Sequence, residues 1–265
     1  RRQRTTEADA EREVSKLFPD TFDSASDKLG SEHAAVRLAG VHALARLADE
    51  APEGREDLVQ MVIDVLCAYL RMPYTPHPET STEHPGRPIL PTVSSTAAVD
   101  LDQLRSSDHD AAHHEKDRAA QEEHRERVLD FESFQQVRHT IIRIIGDRLR
   151  RPTRWRGKDY DFTGVVFDGG DLSRAHFTGG TVNFSEARFT GGEVDFRRAR
   201  FTGGMVDFSE ASFTGGTVNF HAAHFTGGTV TFFGASFTGG KVSFLSAEFT
   251  GGTVNFLMAS FSGGT

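Results

Sequence analysis

Cysteine, tryptophan and long apolar runs are all scarce in this chain. Among 265 residues there is one Cys, Cys67, and one Trp, Trp155. A lone cysteine excludes a disulfide framework and suits a reducing compartment; within an apolar helical pattern it reads as a buried structural thiol. No apolar run approaches the ~20 residues that a membrane-spanning helix needs, and no stretch reads as a signal peptide. The chain opens "RRQRTTEADAE" without Met, so it is expected to be a piece of a longer protein. Nor is there a basic excess: the formal charge is −8, which argues against the whole chain being a nucleic-acid binder.

What is abundant is Phe, at 22, and Gly, at 26, nearly all of the excess lying after residue 160. The sequence divides accordingly into an α-helical domain (1–150), a basic junction (151–159) and a repeat region (160–265). Within the first, residues 1–18 read as a polar helix. Residues 31–49 read as an Ala-rich helix with Val36, Ala39, Ala43 and Leu47 on one face and Ser31 as N-cap. Residues 55–71 carry the stripe Leu58, Met61, Val62, Val65, Leu66 and Tyr69. Together they make an antiparallel HEAT-like hairpin, which cannot bury both faces alone. Residues 72–100 form a Pro-rich strap. Residues 105–128 read as a solvated charged helix. Residues 131–149, with Phe134, Val137, Ile141, Ile144 and Ile145, read as an amphipathic helix that packs on the hairpin.

In the repeat region, Phe recurs from Phe177 to Phe261 at spacings that alternate strictly between seven and five. Two residues before each Phe stands Val (Val182, Val194, Val206 and onward) or Ala (Ala175, Ala187, Ala199 and onward). Small-x-Phe is the period-two signature of a short strand with both side chains on one face. A Gly-Gly pair every twelve residues would cost ~2 kcal/mol per repeat in a helix and suits a turn with positive φ. One unit cannot bury its Phe alone, but stacked units can. Ring should lie over ring at the ~4.8 Å ladder spacing.

The stretches "ARFTG", "VNFSE" and "GDLSR" resemble the pentapeptide-repeat pattern. That resemblance implies a right-handed quadrilateral β-helix with four sides per coil. The chain departs from it by two extra residues at every second corner, giving coils of ~24 residues and about four coils. A flattened solenoid with one twelve-residue repeat per coil is the alternative. The expected fold class is therefore α+β in two parts, helical and then β-solenoid. "LGSEHAAVRLAGVHALARLADEAP" and "VLCAYLRMPY" further resemble the helical segment of an actinobacterial group of such proteins, in which transmembrane helices often lie upstream. This implies the soluble part of a membrane-tethered chain, cytoplasmic and at the inner face of the membrane. The family resemblance also raises the reading of a DNA mimic that engages a type II topoisomerase. Nine acidic and six basic side chains from residue 160 onward make a weakly charged mimic.

Chemistry is hard to find. The inward positions of the repeats are Val, Ala and Phe, and a site needs convergent polar groups; no catalytic residue, metal or cofactor is expected. His109, His113 and His114 have helical ligand spacing but sit in a charged run that reads as solvated. The junction residues Arg151, Arg154, Trp155, Arg156 and Lys158 are candidates for phosphate or lipid-headgroup contact, with a membrane surface as the partner and nucleic acid disfavoured. Trp155 is expected to plug the open end of the Phe ladder. The residue after "VNF" changes from Ser185, Arg197, Ser209 and His221 to Phe233, Leu245 and Leu257, with Met258 alongside. With Phe261, these form the candidate interface for a protein partner or a second copy, through the C-terminal coil. The function expected is that of a non-catalytic repeat scaffold.

Overall fold

The computed structural model describes residues 17–75 and 106–263, with side chains in the long helix described at 118 and from 121. The contacts fall into two units, 1–76 with 135–265, and 77–134. In the second, the described part is helical. In the first, helices and solenoid share one body. Its elements are α1 (17–29), α2 (Ala34–Asp49), α3 (Glu56–Arg71) and the C-terminal part of α4 (Ser106–Arg150), followed by eighteen strands, β1 (Tyr160–Asp161) to β18 (Ser260–Phe261).

The strands form four parallel sheets: β1-β5-β9-β13-β17, β2-β6-β10-β14-β18, β3-β7-β11-β15 and β4-β8-β12-β16. Every fourth strand pairs, so each coil has four sides. Val182 lies beside Val206 and Phe213 beside Phe237, 24 residues apart. The twelve-residue coil is thereby excluded.

Inside, the rings stack in four columns. Phe184–Phe208 and Phe208–Phe232 are 4.7 and 4.8 Å apart with planes within 4°. Phe189–Phe213, Phe196–Phe220 and Phe201–Phe225 repeat this at 4.6, 4.8 and 4.8 Å. Some columns meet edge to face, as Phe208 and Phe220 do at 87°, and others tilted, as Phe208 and Phe213 do at 43°. Such geometry adds to the ~2–3 kcal/mol gross burial of each ring. The Val and Ala two positions earlier are equally buried, so the tube is filled.

Two kinds of corner turn the chain. At the tight corner, Ala187 N–H bonds to Phe184 C=O, and the residue between them, Glu186, is left-handed at φ 58°. The Asn or Asp before most of these Phe closes an Asx turn there, and the Thr231 and Ser243 hydroxyls take its place in two repeats. The Asn183 side-chain oxygen accepts from Ser185 N–H at 2.9 Å, and Asp207 from Ser209 at 2.8 Å. This explains why "VNF" and "VDF" interchange: both residues supply that oxygen. At the wide corner the second glycine is left-handed, as at Gly216, φ 66°. A Cβ on Gly216 would meet the Gly191 carbonyl carbon of the coil below at 2.5 Å. Glycine is stacked on glycine because nothing larger fits between coils.

The first coil differs. Tyr160 pairs with Val182 and Val166 with Arg188, only 22 residues apart, because the Phe167–Leu172 side lacks the two extra residues. The missing bulge makes room for α4: a Cβ on Gly170 would come 2.9 Å from Ile142 Cγ2. Arg138 is buried at this junction, donating to Leu70 O at 2.6 Å and Val166 O at 2.8 Å, with its guanidinium 4.3 Å from the Tyr74 ring. It ties α3, α4 and the solenoid together.

Three helical expectations need correction. The two helices expected at 105–128 and 131–149 are one continuous α4. The buried face of α2 is Gly40, Val41, Leu44, Ala45 and Ala48, whereas Val36 is exposed. The cause is α1, which sequence reading did not find beyond residue 18. A Cβ on Gly40 would lie 2.8 Å from Ala25 O, so the two helices cross at this glycine. The N-cap of α2 is His33, not Ser31; the Ser31 hydroxyl instead accepts from His33 N–H at 3.2 Å. Most of the helix expected at 1–18 and most of the strap at 72–100 lie outside the described residues.

Candidate functional site

The basic junction follows α4 without a break, and its charges are turned inward onto the helices. Arg154 donates to Glu56 Oε1 at 2.8 Å, to Pro52 O at 2.9 Å and to Ala51 O. It therefore caps the α2–α3 turn. Lys158 Nζ lies 2.6 Å from Glu56 Oε2. The Lys158 ammonium, helped by Arg154, holds the Glu56 carboxyl below its ordinary range against the opposing effect of burial. Arg156 donates to Leu149 O at 2.9 Å and Arg150 O at 2.7 Å, occupying the open carbonyls at the end of α4. Trp155 is fully buried and its indole N–H reaches Asp49 Oδ1 at 2.9 Å. Its carbonyl accepts from Tyr160 OH at 2.7 Å, and Tyr160 starts the ring stack on Phe162. Of the five residues expected to contact phosphate or lipid, Arg151 alone has an exposed side chain with no partner among the described residues.

A second polar node was not foreseen. Asp168 lies at the short side of the first coil and accepts from Gln135 Nε2 at 2.7 Å, from His139 Nε2 at 2.9 Å and from Tyr74 OH. Burial would raise its carboxyl, but these hydrogen bonds outweigh that and hold it down at about 2. The node latches α4 and the segment after α3 to the solenoid. A signal existed in the sequence: Asp168 replaces the Thr that follows Phe in the later repeats. Cys67 is buried and desolvation pushes its thiol up to about 12, so it is inert.

The candidate interface is divided by the four-sided coil. Glu210 N–H bonds to Phe233 O, and Gly234 N–H to Leu257 O. Phe233 therefore stands over Ser209 and under Leu257 on one corner, with Met258 beside Leu257. Ala222 N–H bonds to Leu245 O, which places Leu245 on the diagonally opposite corner, above His221. Phe261 belongs to neither; it ends an inward column, its ring 4.6 Å from Phe237. Phe233, Leu257 and Met258 are 37, 63 and 73 % exposed, a continuous apolar ridge.

A chain of four-sided coils with Ala-x-Phe and Val-x-Phe sides is matched at residues 162–212 by the family model described as pentapeptide repeats (9 copies). The solenoid is built of pentapeptide repeats. No curated protein and no solved structure matches the chain. The inward positions of the solenoid are filled by Val, Ala and Phe, and groups of acids, His and Cys able to hold a metal are absent among the described residues. The side chains of His109, His113 and His114 lie outside those described. No helix among the described residues is long and apolar enough to cross a membrane.

Proposed function

We propose that this protein is a non-catalytic scaffold whose solenoid presents a surface to a protein partner or to a second copy of itself. The observation that carries this is the Phe233–Leu257–Met258 ridge, on a corner where the preceding coils carry Ser185 and Ser209. Clustered apolar surface on a rigid body is what protein interfaces use. The dry interior supports the non-catalytic part of the reading. The DNA-mimic alternative is less well supported, because four of the six basic side chains of the solenoid gather at one corner. The inert thiol of Cys67 fits a cytoplasmic setting, and a membrane-tethered location at its inner face remains part of the proposal.

Light scattering across a wide concentration range tests the self-association form. The mass should rise with concentration and return to that of the monomer in Leu257→Ser/Met258→Ser. A mass that never changes, together with a pull-down from the native host that Leu257→Ser/Met258→Ser leaves unaltered, would remove the ridge from consideration.

A further inference from the structure

The corner diagonal to the apolar ridge carries the opposite chemistry. Its successive units read "SRAHF", "RRARF" and "HAAHF". Inter-coil bonds from Arg174 N–H to Arg197 O and from Arg198 N–H to His221 O stack these units one rung apart. Arg150, Ser173, Arg174, Arg197, Arg198 and His221 line a cleft of ≈ 500 Å³, a volume in the range of small-ligand sites.

The two carboxylates nearest this corner are neutralised. Asp171 and Asp195 are register partners, a like-charge pair that is unfavourable by itself. Each has its own cation: Arg150 at 2.6 Å from Asp171 and Arg197 at 2.6 Å from Asp195. Arg174, Arg198 and Arg200 are exposed and have no carboxylate partner among the described residues. None of the ladder partners of Arg200 is a carboxylate. Arg200 is flanked in its ladder by His176 and His224, and burial together with Arg156 and Arg200 holds the His176 imidazole below its ordinary range. Glu248, the next rung, is taken by His224 at 2.9 Å.

The two corner arginines share one backbone conformation and line the same cleft. Arg174 and Arg198 are left-handed, at φ 56° and 57°, a conformation uncommon outside glycine. The same column continues as Ala222 and Ser246, so the fold does not require arginine there. Two arginine backbone positions one rung apart, at about 4.8 Å, let two guanidinium forks reach a ligand with closely spaced anionic oxygens, because each fork can grip a phosphate through two parallel bonds. Of the junction arginines, Arg154 and Arg156 are committed to Glu56 and to backbone carbonyls, and Arg151 has no second arginine one rung away.

We propose that this corner is a binding site for a ligand bearing adjacent phosphate groups, with Arg174 and Arg198 as the principal contacts and Arg200 and His221 at its edge. Calorimetry of the full chain with pyrophosphate tests it, alongside sedimentation with phosphatidylglycerol vesicles. Arg174→Ser/Arg198→Ser takes its residue from Ser246 in the same column, so it should melt with the parent chain. Arg188→Ser, on another ladder, is the control for non-specific charge. The expected result is saturable pyrophosphate binding, about tenfold or more weaker in Arg174→Ser/Arg198→Ser and unchanged in Arg188→Ser. Binding to vesicles alone, lost in the same double variant, also supports the site and identifies the phosphate as a lipid headgroup. No binding in either arm, retention in the double variant, or equal loss in Arg188→Ser overturns it.

Discussion

The Trp155 indole and the Arg148 guanidinium share one carboxylate, that of Asp49, at 2.9 and 2.7 Å. One acid at the end of α2 thus holds the end of α4 and the buried Trp155 ring. Removing it leaves a buried N–H without an acceptor. Asp49→Ala is expected to destabilise the fold by about 2–3 kcal/mol, measured by urea unfolding. Asp49→Asn keeps an acceptor and should lose about half as much. Equal effects of the two would show that charge, not the indole bond, matters.

Asp168 makes the latch pH-dependent. Its folded-state carboxyl lies near 2, below its ordinary value of 3.8. Stability from this group is therefore complete above pH ~4 and is lost as pH falls from there toward 2. Its size is about 1–2 kcal/mol after allowance for solvent screening. Comparison of Asp168→Asn with the parent chain by thermal melting should give a difference that is present at neutral pH and shrinks on acidification through that window.

The Phe columns predict a gradient along the solenoid. Phe208 is fully buried and Phe256 is 38 % exposed. Phe208→Ala should cost about 3–5 kcal/mol, and Phe256→Ala no more than about half of that. Chemical denaturation of the two variants side by side reads the difference.

Corner geometry gives a pair of opposite substitutions. Gly216→Ala places a methyl against the coil below at a left-handed position and should destabilise by more than about 1 kcal/mol. Glu210 is also left-handed, at φ 58°, but points outward. Glu210→Gly should be neutral or slightly stabilising, because it relieves the left-handed penalty of about 1 kcal/mol at the expense of unfolded-state entropy. The sign of the difference between these variants in a melting experiment is the test.

Much of this architecture was legible beforehand. Small-x-Phe implied strands, the Gly pairs excluded helix, and the alternating spacing implied stacked rings. Each inference needs only local chemistry within a dozen residues. The oxygen of Asn183 or Asp207 was legible in principle as an Asx turn, but the repeat was read for its apolar positions alone. The face of α2 was not legible: an Ala-rich helix has several equivalent apolar stripes, and α1 selects among them by crossing at Gly40. The roles of Arg154, Arg156 and Lys158 were also hidden, since their partners Glu56, Ala51, Pro52 and Leu149 are brought near only by the packing of α3 and α4.

By itself, the sequence determined that a filled aromatic solenoid would form, because the period of Val, Ala and Phe admits no other burial for the 18 Phe of the repeat region. Only the tertiary structure decided how many residues close a coil. A twelve-residue period is satisfied by one repeat per turn or two; the corner angles and the bonds between coils select two. That choice settles which outward residues become neighbours. It places Leu257 over Phe233 and Arg198 over Arg174, and sends Leu245 to the opposite corner, since ladder partners are set by where the chain returns and not by how it repeats.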